Sequence, residues 1–158
     1  DKYNTYGTLY NWPAVITEDI CTSGWHVPSD GEFTLLTDYL GGNAVAGAAM
    51  KSATAWDGTN SSGFNGLPAG FANSNGFYLS GSNGYWWSSS ASGSADAWFR
   101  LLVNNNDGIL RSDADLITGY SARCVRDYTD ECGVLNGDNS TCLDECGVHN
   151  GENSSCEA

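Results

Sequence analysis

The stretch CTSGWHVPSDGEFTLLTDYL, residues 21–40, decides the fold, because it combines a cysteine, large side chains and a well-marked helix start. Ser29 is a favourable N-cap and Glu32 completes an S-x-x-E capping box, so the pattern predicts a helix that begins at about Asp30. Gly41 and Gly42 end it. The residues that then share one helix face are Phe33, Leu36, Tyr39 and Leu40.

Short elements are predicted on both sides of this helix. Residues 3–16 carry aromatic and β-branched side chains and indicate one or two short strands, with Trp12 and Pro13 at a strand end or bulge. Asn43 is placed to cap a second short helix over residues 44–52, whose small side chains allow close packing. Residues 53–72 predict a packed loop held by aromatic rings. Those rings are Trp56, Phe64 and Phe71.

The next part of the chain has the pattern of a meandering antiparallel sheet. Short strands are predicted over residues 76–80, 84–89, 95–103, 108–111 and 120–126. Hairpin turns with a positive φ are predicted at the dipeptides Asn75-Gly76, Asn83-Gly84 and Asp107-Gly108. Alternation in the third strand separates Trp98, Arg100 and Leu102 from Phe99, Leu101 and Val103. The expected class is α+β, with helices first and the sheet after them.

Charge limits the possible partners. The 158 residues include 19 acidic and 6 basic side chains, a formal charge of −13. Binding to nucleic acid and direct binding to an anionic membrane are excluded, since both need a basic surface. The possible partners that remain are cations, neutral sugars and other proteins, including further copies of this chain. The chain has no apolar run of about 18 residues that could span a bilayer, and no signal peptide is visible at Asp1, as for a mature secreted form or an excised fragment.

Six cysteines indicate disulfides formed in an oxidising compartment, outside the cytoplasm. They are Cys21, Cys124, Cys132, Cys142, Cys146 and Cys156. Six cysteines allow 15 pairings. The other interpretation is a zinc site in the tail, but the C-x3-C spacing of Cys142 and Cys146, with His149 nearby, departs from the C-x2-C pairs that zinc favours.

Residues 128–158 form an acidic tail with an internal repeat. DECGVLNGDNSTCL (130–143) and DECGVHNGENSSCE (144–157) share ten of fourteen positions. Residues 127–158 contain eight acidic side chains and no Lys or Arg, which leaves 6 − 11 = −5 for the body. So few aliphatic residues cannot bury a core. The simplest pairing closes each unit on itself, Cys132 with Cys142 and Cys146 with Cys156, and the alternative is Cys142 with Cys146.

Two further kinds of site are predicted. Ca²⁺ takes carboxylate and amide oxygens in tight turns, and its candidate ligands are Asp130, Asn136, Asp138 and their repeats Asp144, Asn150 and Glu152. The alternative is a solvated acidic stalk. N-x-[ST] sequons mark candidate glycosylation sites, unless they arise by chance in an Asn- and Ser-rich chain. These sites are Asn60, Asn139 and Asn153.

Five segments resemble, in the same order, the Fibrobacter succinogenes major domain family. They are YGTLYNWPAV (6–15), CTSGWHVPSDGEFTLLTDYLGG (21–42), GFNGLPAGF (63–71), GYWWSSSASGSADAWFRLL (84–102) and GYSARCVRD (119–127). The resemblance implies a C-type-lectin-like fold, related to that of the formylglycine-generating enzymes, with two helices on an irregular antiparallel sheet. The domains would be a lectin-like body over 1–127 and a disulfide-stapled, coreless tail over 128–158.

The resemblance also has implications for cysteine pairing and for location. It implies that Cys21 pairs with Cys124, and closing so long a loop should stabilise the fold by about 4–5 kcal/mol. Domains of this family occur in secreted or surface proteins of bacteria. The tail resembles the Cys-rich D-E-C-G-V repeats that follow extracellular domains in some bacterial surface proteins.

Three function classes follow. The favoured one is a non-enzymatic structural or adhesive subunit that assembles head to tail into fibres through its tail. The alternative is a carbohydrate-binding module, whose ligand surface would use Tyr85, Trp87, Trp98, Asn105 and Asp107. Against it, Trp86 faces away from Tyr85 and Trp87, so at least part of this aromatic cluster is expected in the core, where such rings more often pack. The third is a divergent enzyme of the formylglycine-generating type. It is disfavoured because Cys124 already has a structural partner under the resemblance, and because His26 is interpreted as a satisfied buried histidine.

Overall fold

The computed structural model describes residues 5–17, 19–130 and 132–136. Its helices are α1 (Trp12–Val15), α2 (Asp30–Tyr39) and α3 (Ala46–Met50). Its strands are β1 (Trp25–His26), β2 (Phe71–Asn73), β3 (Gly76–Tyr78), β4 (Asn83–Ala91), β5 (Asp96–Val103), β6 (Ile109–Asp115) and β7 (Val125–Arg126). Strands β4, β5 and β6 form an antiparallel sheet in that order, β2 pairs with β3, and β1 pairs with β7. The predicted α+β class is confirmed.

The chain divides into two compact units. The first contains the described residues of 1–22 and 26–125, and the second contains those of 23–25 and 126–158. None of the described helices is both long and apolar enough to cross a bilayer.

Helix α2 begins where its capping box predicts. The Glu32 backbone N–H donates to Ser29 Oγ at 3.2 Å, and the Ser29 N–H donates to Glu32 Oε2 at 2.8 Å. Phe33 and Thr37, four residues apart, are buried, whereas Tyr39 is 88% exposed. The prediction that Tyr39 belongs to the buried face is therefore wrong. The buried face follows the i, i+4 spacing of Phe33 and Thr37, and Tyr39 is the last residue of the helix.

The three-stranded sheet has an apolar cluster on each face, because successive side chains of a strand point to opposite sides. Tyr85, Trp87 and Phe99 belong to the first cluster, together with Val15, Val27, Ala97 and Tyr120. Trp86, Leu102 and Ile109 belong to the second, together with Phe33, Ala46 and Met50. The predicted alternation along β5 is confirmed in that Phe99 and Leu102 lie in different clusters.

The prediction of strands over residues 3–16 is wrong at its C-terminal end. Trp12 to Val15 form a helical turn in which the Ala14 N–H donates to Asn11 Oδ1 at 3.2 Å. Proline is well suited to the first turn of a helix, and Asn is a good N-cap. Tyr10 forms only a single bridge with Tyr120.

Two of the three glycine dipeptides serve close packing rather than a hairpin turn. Gly84 lies within β4, and a Cβ there would overlap the Trp86 ring. At Gly108 a Cβ would lie 2.8 Å from the Asn43 carbonyl oxygen, and the positive φ of that turn belongs to Asn105, at 57°. Gly76, with φ at 134°, does adopt the conformation expected of it.

Helix α3 is shorter than predicted and lacks the predicted cap. Val45 occupies the N-cap position without a side-chain hydrogen bond, while the Asn43 carbonyl accepts from the Ile109 N–H at 2.8 Å. A Cβ on Gly47 would overlap the Gly108 carbonyl. The small residues of this segment therefore allow the helix to approach the β5–β6 turn.

A disulfide joins Cys21 to Cys124, with Cα atoms 5.8 Å apart across 103 residues of sequence. This is the pairing that the family resemblance implies. Cys132 is disulfide-bonded as well, and no described cysteine is a free thiol. The other tail cysteines and several predicted tail sites lie outside the described residues. These are Cys142, Cys146, Cys156, Asp138, Asp144, Asn150, Glu152, Asn139 and Asn153.

Candidate binding cleft

Asp30, the first residue of α2, holds two arginines. Arg100 Nη1 donates to its Oδ1 at 2.6 Å, and Arg111 donates from Nε and Nη2 at 2.9–3.0 Å. Arg111 also stacks 3.4 Å from the Trp98 ring centroid. Burial on its own raises the pKa of Asp30, but the hydrogen bonds from Arg111 and Arg100 outweigh it and hold the pKa below its usual range. This cluster joins the helix to the sheet.

Lys51 has a fully buried side chain, and its ammonium donates to Asp57 Oδ1 at 2.7 Å. This hydrogen bond lowers the pKa of Asp57. The other carboxylate oxygen of Asp57 accepts from the Asn105 N–H at 3.0 Å. The pair therefore connects the loop after α3 to the β5–β6 turn.

The Nε2 atom of His26 lies 2.8 Å from Oε1 of Glu32, which is also the residue that closes the capping box. The His26 side chain is 25% exposed. The interpretation of His26 as a hydrogen-bonded structural residue agrees with this contact, although it is half-buried rather than buried.

Arg123 differs from these cations because no described carboxylate pairs with it. Its Nη2 donates to the Phe64 carbonyl oxygen, and its guanidinium carbon lies 4.8 Å from the Phe64 ring centroid. Its Nε is buried and has no hydrogen-bond partner among the described atoms. Burial lowers the pKa of Arg123, but an arginine stays charged in proteins. An uncompensated cation with spare N–H groups favours an anionic ligand.

Arg123 lines one half of a cleft in the first unit. Two adjoining hollows, of about 300 Å³ and 240 Å³, share the segment from Tyr6 to Thr8 on their walls. The larger is mainly apolar, and its further lining residues are Leu9, Ala69, Ala72, Phe77 and Ser80. The smaller is more polar and is also lined by Tyr10, Leu67, Trp86, Ser121, Ala122 and Arg123. The cleft thus places an apolar wall beside a cationic one.

Exposed apolar side chains continue the larger hollow outwards. On and after β3, Phe77 is 71% exposed, Tyr78 40% and Leu79 49%, and Leu79 has a φ of 56°. Of these three residues Phe77 lines the larger hollow, whereas Tyr78 stacks on Phe71 with the ring centroids 5.2 Å apart. Phe77 is therefore the exposed apolar residue that extends the wall of the hollow.

The predicted ligand surface is not assembled. Tyr85 and Trp87 are 8% and 0% exposed and belong to the first apolar cluster, so they pack in the core. Trp98 remains half-buried, and Asn105 and Asp107 are exposed in the β5–β6 turn. Trp98 stands five residues before the end of β5, about 17 Å along an extended strand from that turn. The aromatic and polar parts therefore lie apart.

The described candidate calcium ligands already serve a turn. Asp130 Oδ1 accepts from the backbone N–H groups of Cys132 and Val134 at 3.0 and 2.8 Å. Asn136 Oδ1 accepts from the Tyr128 N–H at 3.0 Å. Within the ranges that the structure describes, no three His, Cys, Asp or Glu side chains are grouped to hold a metal.

The candidate glycosylation site Asn60 lies in a tight turn. It has a φ of 52°, and its Oδ1 accepts from the Asn65 N–H at 2.7 Å. This contact uses the amide oxygen, whereas a glycan would be attached to the amide nitrogen.

The chain belongs to the Fibrobacter succinogenes major domain family, whose model matches residues 1–126. The matched region ends just before the acidic tail. No curated protein and no solved structure matches the chain. The family match therefore covers the body of the protein, and residues 127–158 lie outside it.

Sequence reasoning missed the cleft and Arg123. The signal that could have found the arginine is its position inside the segment GYSARCVRD, where it directly precedes a cysteine and has no nearby acid on its N-terminal side. The cleft itself has no such signal, because its walls come from segments near residues 6, 70, 86 and 121.

Proposed function

We propose that this protein is a non-enzymatic, secreted or cell-surface adhesive subunit that associates head to tail with further copies of itself and builds extracellular fibres. The observation that carries the proposal is the exposed apolar pair Val134 and Leu135, 42% and 64% exposed, in a repeat unit too poor in aliphatic residues to build a core. A segment of this kind gains stability by packing on another surface.

The covalent structure supports an extracellular location. The disulfide between Cys21 and Cys124 and the bonded state of Cys132 are typical of proteins from oxidising compartments. The C-type-lectin-like fold, related to the formylglycine-generating enzymes, belongs to this proposal, and its support is the family membership together with the α+β architecture.

The proposal of a non-enzymatic role is supported by how the described charged side chains are used. Asp30 and Lys51 make structural ion pairs, and Glu32 accepts hydrogen bonds from Ser29 and lies 2.8 Å from His26 Nε2. Cys124 is bonded to Cys21 across 103 residues of sequence, in a disulfide that closes the fold, and this supports a structural role for Cys124.

Sedimentation velocity over a range of protein concentrations tests the association, with and without CaCl₂. The intact protein is expected to form species larger than the monomer, and a variant lacking residues 128–158 is expected to stay monomeric. Association that appears only with CaCl₂ would support the predicted calcium sites of the tail. An intact protein that stays monomeric in both conditions would refute the proposal, as would a truncated variant that associates equally well.

Carbohydrate binding is the alternative function. The observation that favours it is the exposed polar turn with Asn105 and Asp107, since lectin-like folds bind sugars through oxygen ligands in such loops. A glycan array on which the intact protein gives no hit, with and without Ca²⁺, would refute it.

A further inference from the structure

We propose that the cleft beside Tyr6–Thr8 is the receptor for the tail of a second copy of this chain, and that Arg123 binds a carboxylate of the incoming acidic repeat. This inference rests on the proposed head-to-tail association and names the surface that would receive the tail.

The first argument is charge complementarity. Arg123 lines the smaller hollow, donates to the Phe64 carbonyl oxygen, and has no carboxylate partner among the described residues. A partly buried guanidinium without a counterion is destabilising, so a carboxylate that enters the hollow and pairs with it is bound favourably. The tail supplies eight acidic side chains over residues 127–158 and no cation that would compete for them.

The second argument is the match between apolar surfaces. The larger hollow has an apolar wall that includes the exposed side chain of Phe77. In the second unit, Val134 and Leu135 are exposed. Burying these side chains against an apolar wall is favourable, whereas leaving both surfaces in water is not.

The third argument is spacing. Each repeat unit opens with an Asp-Glu pair, and its Val follows four residues after the Asp. In the described unit a turn brings these two residues together, since the Val134 N–H donates to Asp130 Oδ1 at 2.8 Å. The two hollows share the Tyr6–Thr8 segment, so a cationic and an apolar wall lie on either side of it. One repeat unit therefore carries an acidic and an apolar side chain next to each other, as the two adjoining hollows present a cationic and an apolar wall next to each other.

The variants Arg123→Gln and Phe77→Ser test the cleft, and Arg126→Gln is the matched control, because it removes the same charge from an exposed position outside the cleft. Sedimentation equilibrium of the intact chains gives the association constants. Arg123→Gln and Phe77→Ser should each weaken association at least tenfold, and Arg126→Gln should change it less than threefold. Phe77 is exposed, so Phe77→Ser reports on the cleft even where Arg123→Gln disturbs folding.

The possible failures are distinguishable. If both cleft variants associate as strongly as the wild type, the cleft is not the receptor, and the head-to-tail proposal is unaffected. A wild type that stays monomeric would overturn both. Galacturonic acid, titrated by calorimetry, tests the other source of a carboxylate. Arg123-dependent binding of this sugar acid to a monomeric wild type would reassign the cleft to an acidic glycan and overturn the tail-receptor proposal.

Discussion

Replacing Asp30 with Asn removes the carboxylate that holds Arg100 and Arg111 against the N-terminal end of α2. The Arg100 side chain is 3% exposed and that of Asp30 is 17% exposed, so the substitution leaves a buried guanidinium without its counterion. Breaking a buried ion pair in this way costs about 3–5 kcal/mol. Arg111 is 41% exposed, so its share is at most about 1 kcal/mol.

The expected loss for Asp30→Asn is about 3 kcal/mol of unfolding free energy, at the lower end of the range because Asp30 keeps some contact with water. A loss of this size lowers the melting temperature by roughly 12 °C in a domain of this length. Urea denaturation followed by tryptophan fluorescence measures it. Asp38→Asn, an exposed carboxylate on the same helix, is the control and should change stability by less than about 0.5 kcal/mol.

The stabilisation from Asp30 also depends on pH. Because its pKa is lowered in the folded protein, its contribution is fully present above the unfolded value of 3.8 and is lost as the pH falls through the folded pKa. The difference between wild type and Asp30→Asn should be constant from about pH 5 to pH 8 and should shrink below about pH 4. A loss under about 1 kcal/mol at pH 7, or a difference that grows on acidification, would refute the reasoning.

Three further substitutions have outcomes set by the same structure. Gly47→Ala should destabilise the protein by at least about 2 kcal/mol in urea denaturation, because a Cβ there overlaps a backbone carbonyl of the β5–β6 turn; a neutral effect would contradict that packing. Replacing Cys21 and Cys124 together by Ala should cost about 4 kcal/mol, since the bridge closes a 103-residue separation, and unchanged stability would show that the bridge contributes nothing. Asp57→Asn should cost about 2 kcal/mol by leaving the buried Lys51 ammonium without a counterion; a thermal scan that matches wild type would show that Lys51 finds another partner.

Local sequence signals predicted the elements that depend on neighbouring residues. The capping box of Ser29 and Glu32 marks the start of α2, and the alternation around Phe99 marks the two faces of β5. Both patterns act over four residues or fewer, so tertiary packing does not change them.

Signals that depend on long-range packing misled the interpretation. The aromatic residues Tyr85 and Trp87 have the composition of a sugar-binding platform, but they fill the core between the sheet and the segments carrying Val15 and Tyr120. Gly84 has the dipeptide of a turn, but it lies inside a strand, where a Cβ would come within 2.8 Å of the Leu67 carbonyl oxygen. In both cases the deciding neighbour is distant in sequence, so no local pattern can reveal it.

The cleft was hidden for the same reason. Its walls come from four separate segments, and Arg123 is notable only because the structure places no described acid beside it. The acidic tail, in contrast, is recognisable from sequence alone, since its repeat and its charge are properties of composition.

The most direct test of the account is photo-crosslinking of the intact protein with a benzophenone amino acid in place of the exposed Phe77. This variant is prepared with ¹⁴N and mixed with wild type labelled with ¹⁵N. The mass of each cross-linked peptide pair then shows whether its two peptides come from the variant, from the wild type or from both. The account predicts mixed ¹⁴N–¹⁵N pairs that join the cleft of one copy to residues 128–158 of the other. Cross-links confined to a single copy, or mixed pairs that join two bodies without the tail, would contradict it.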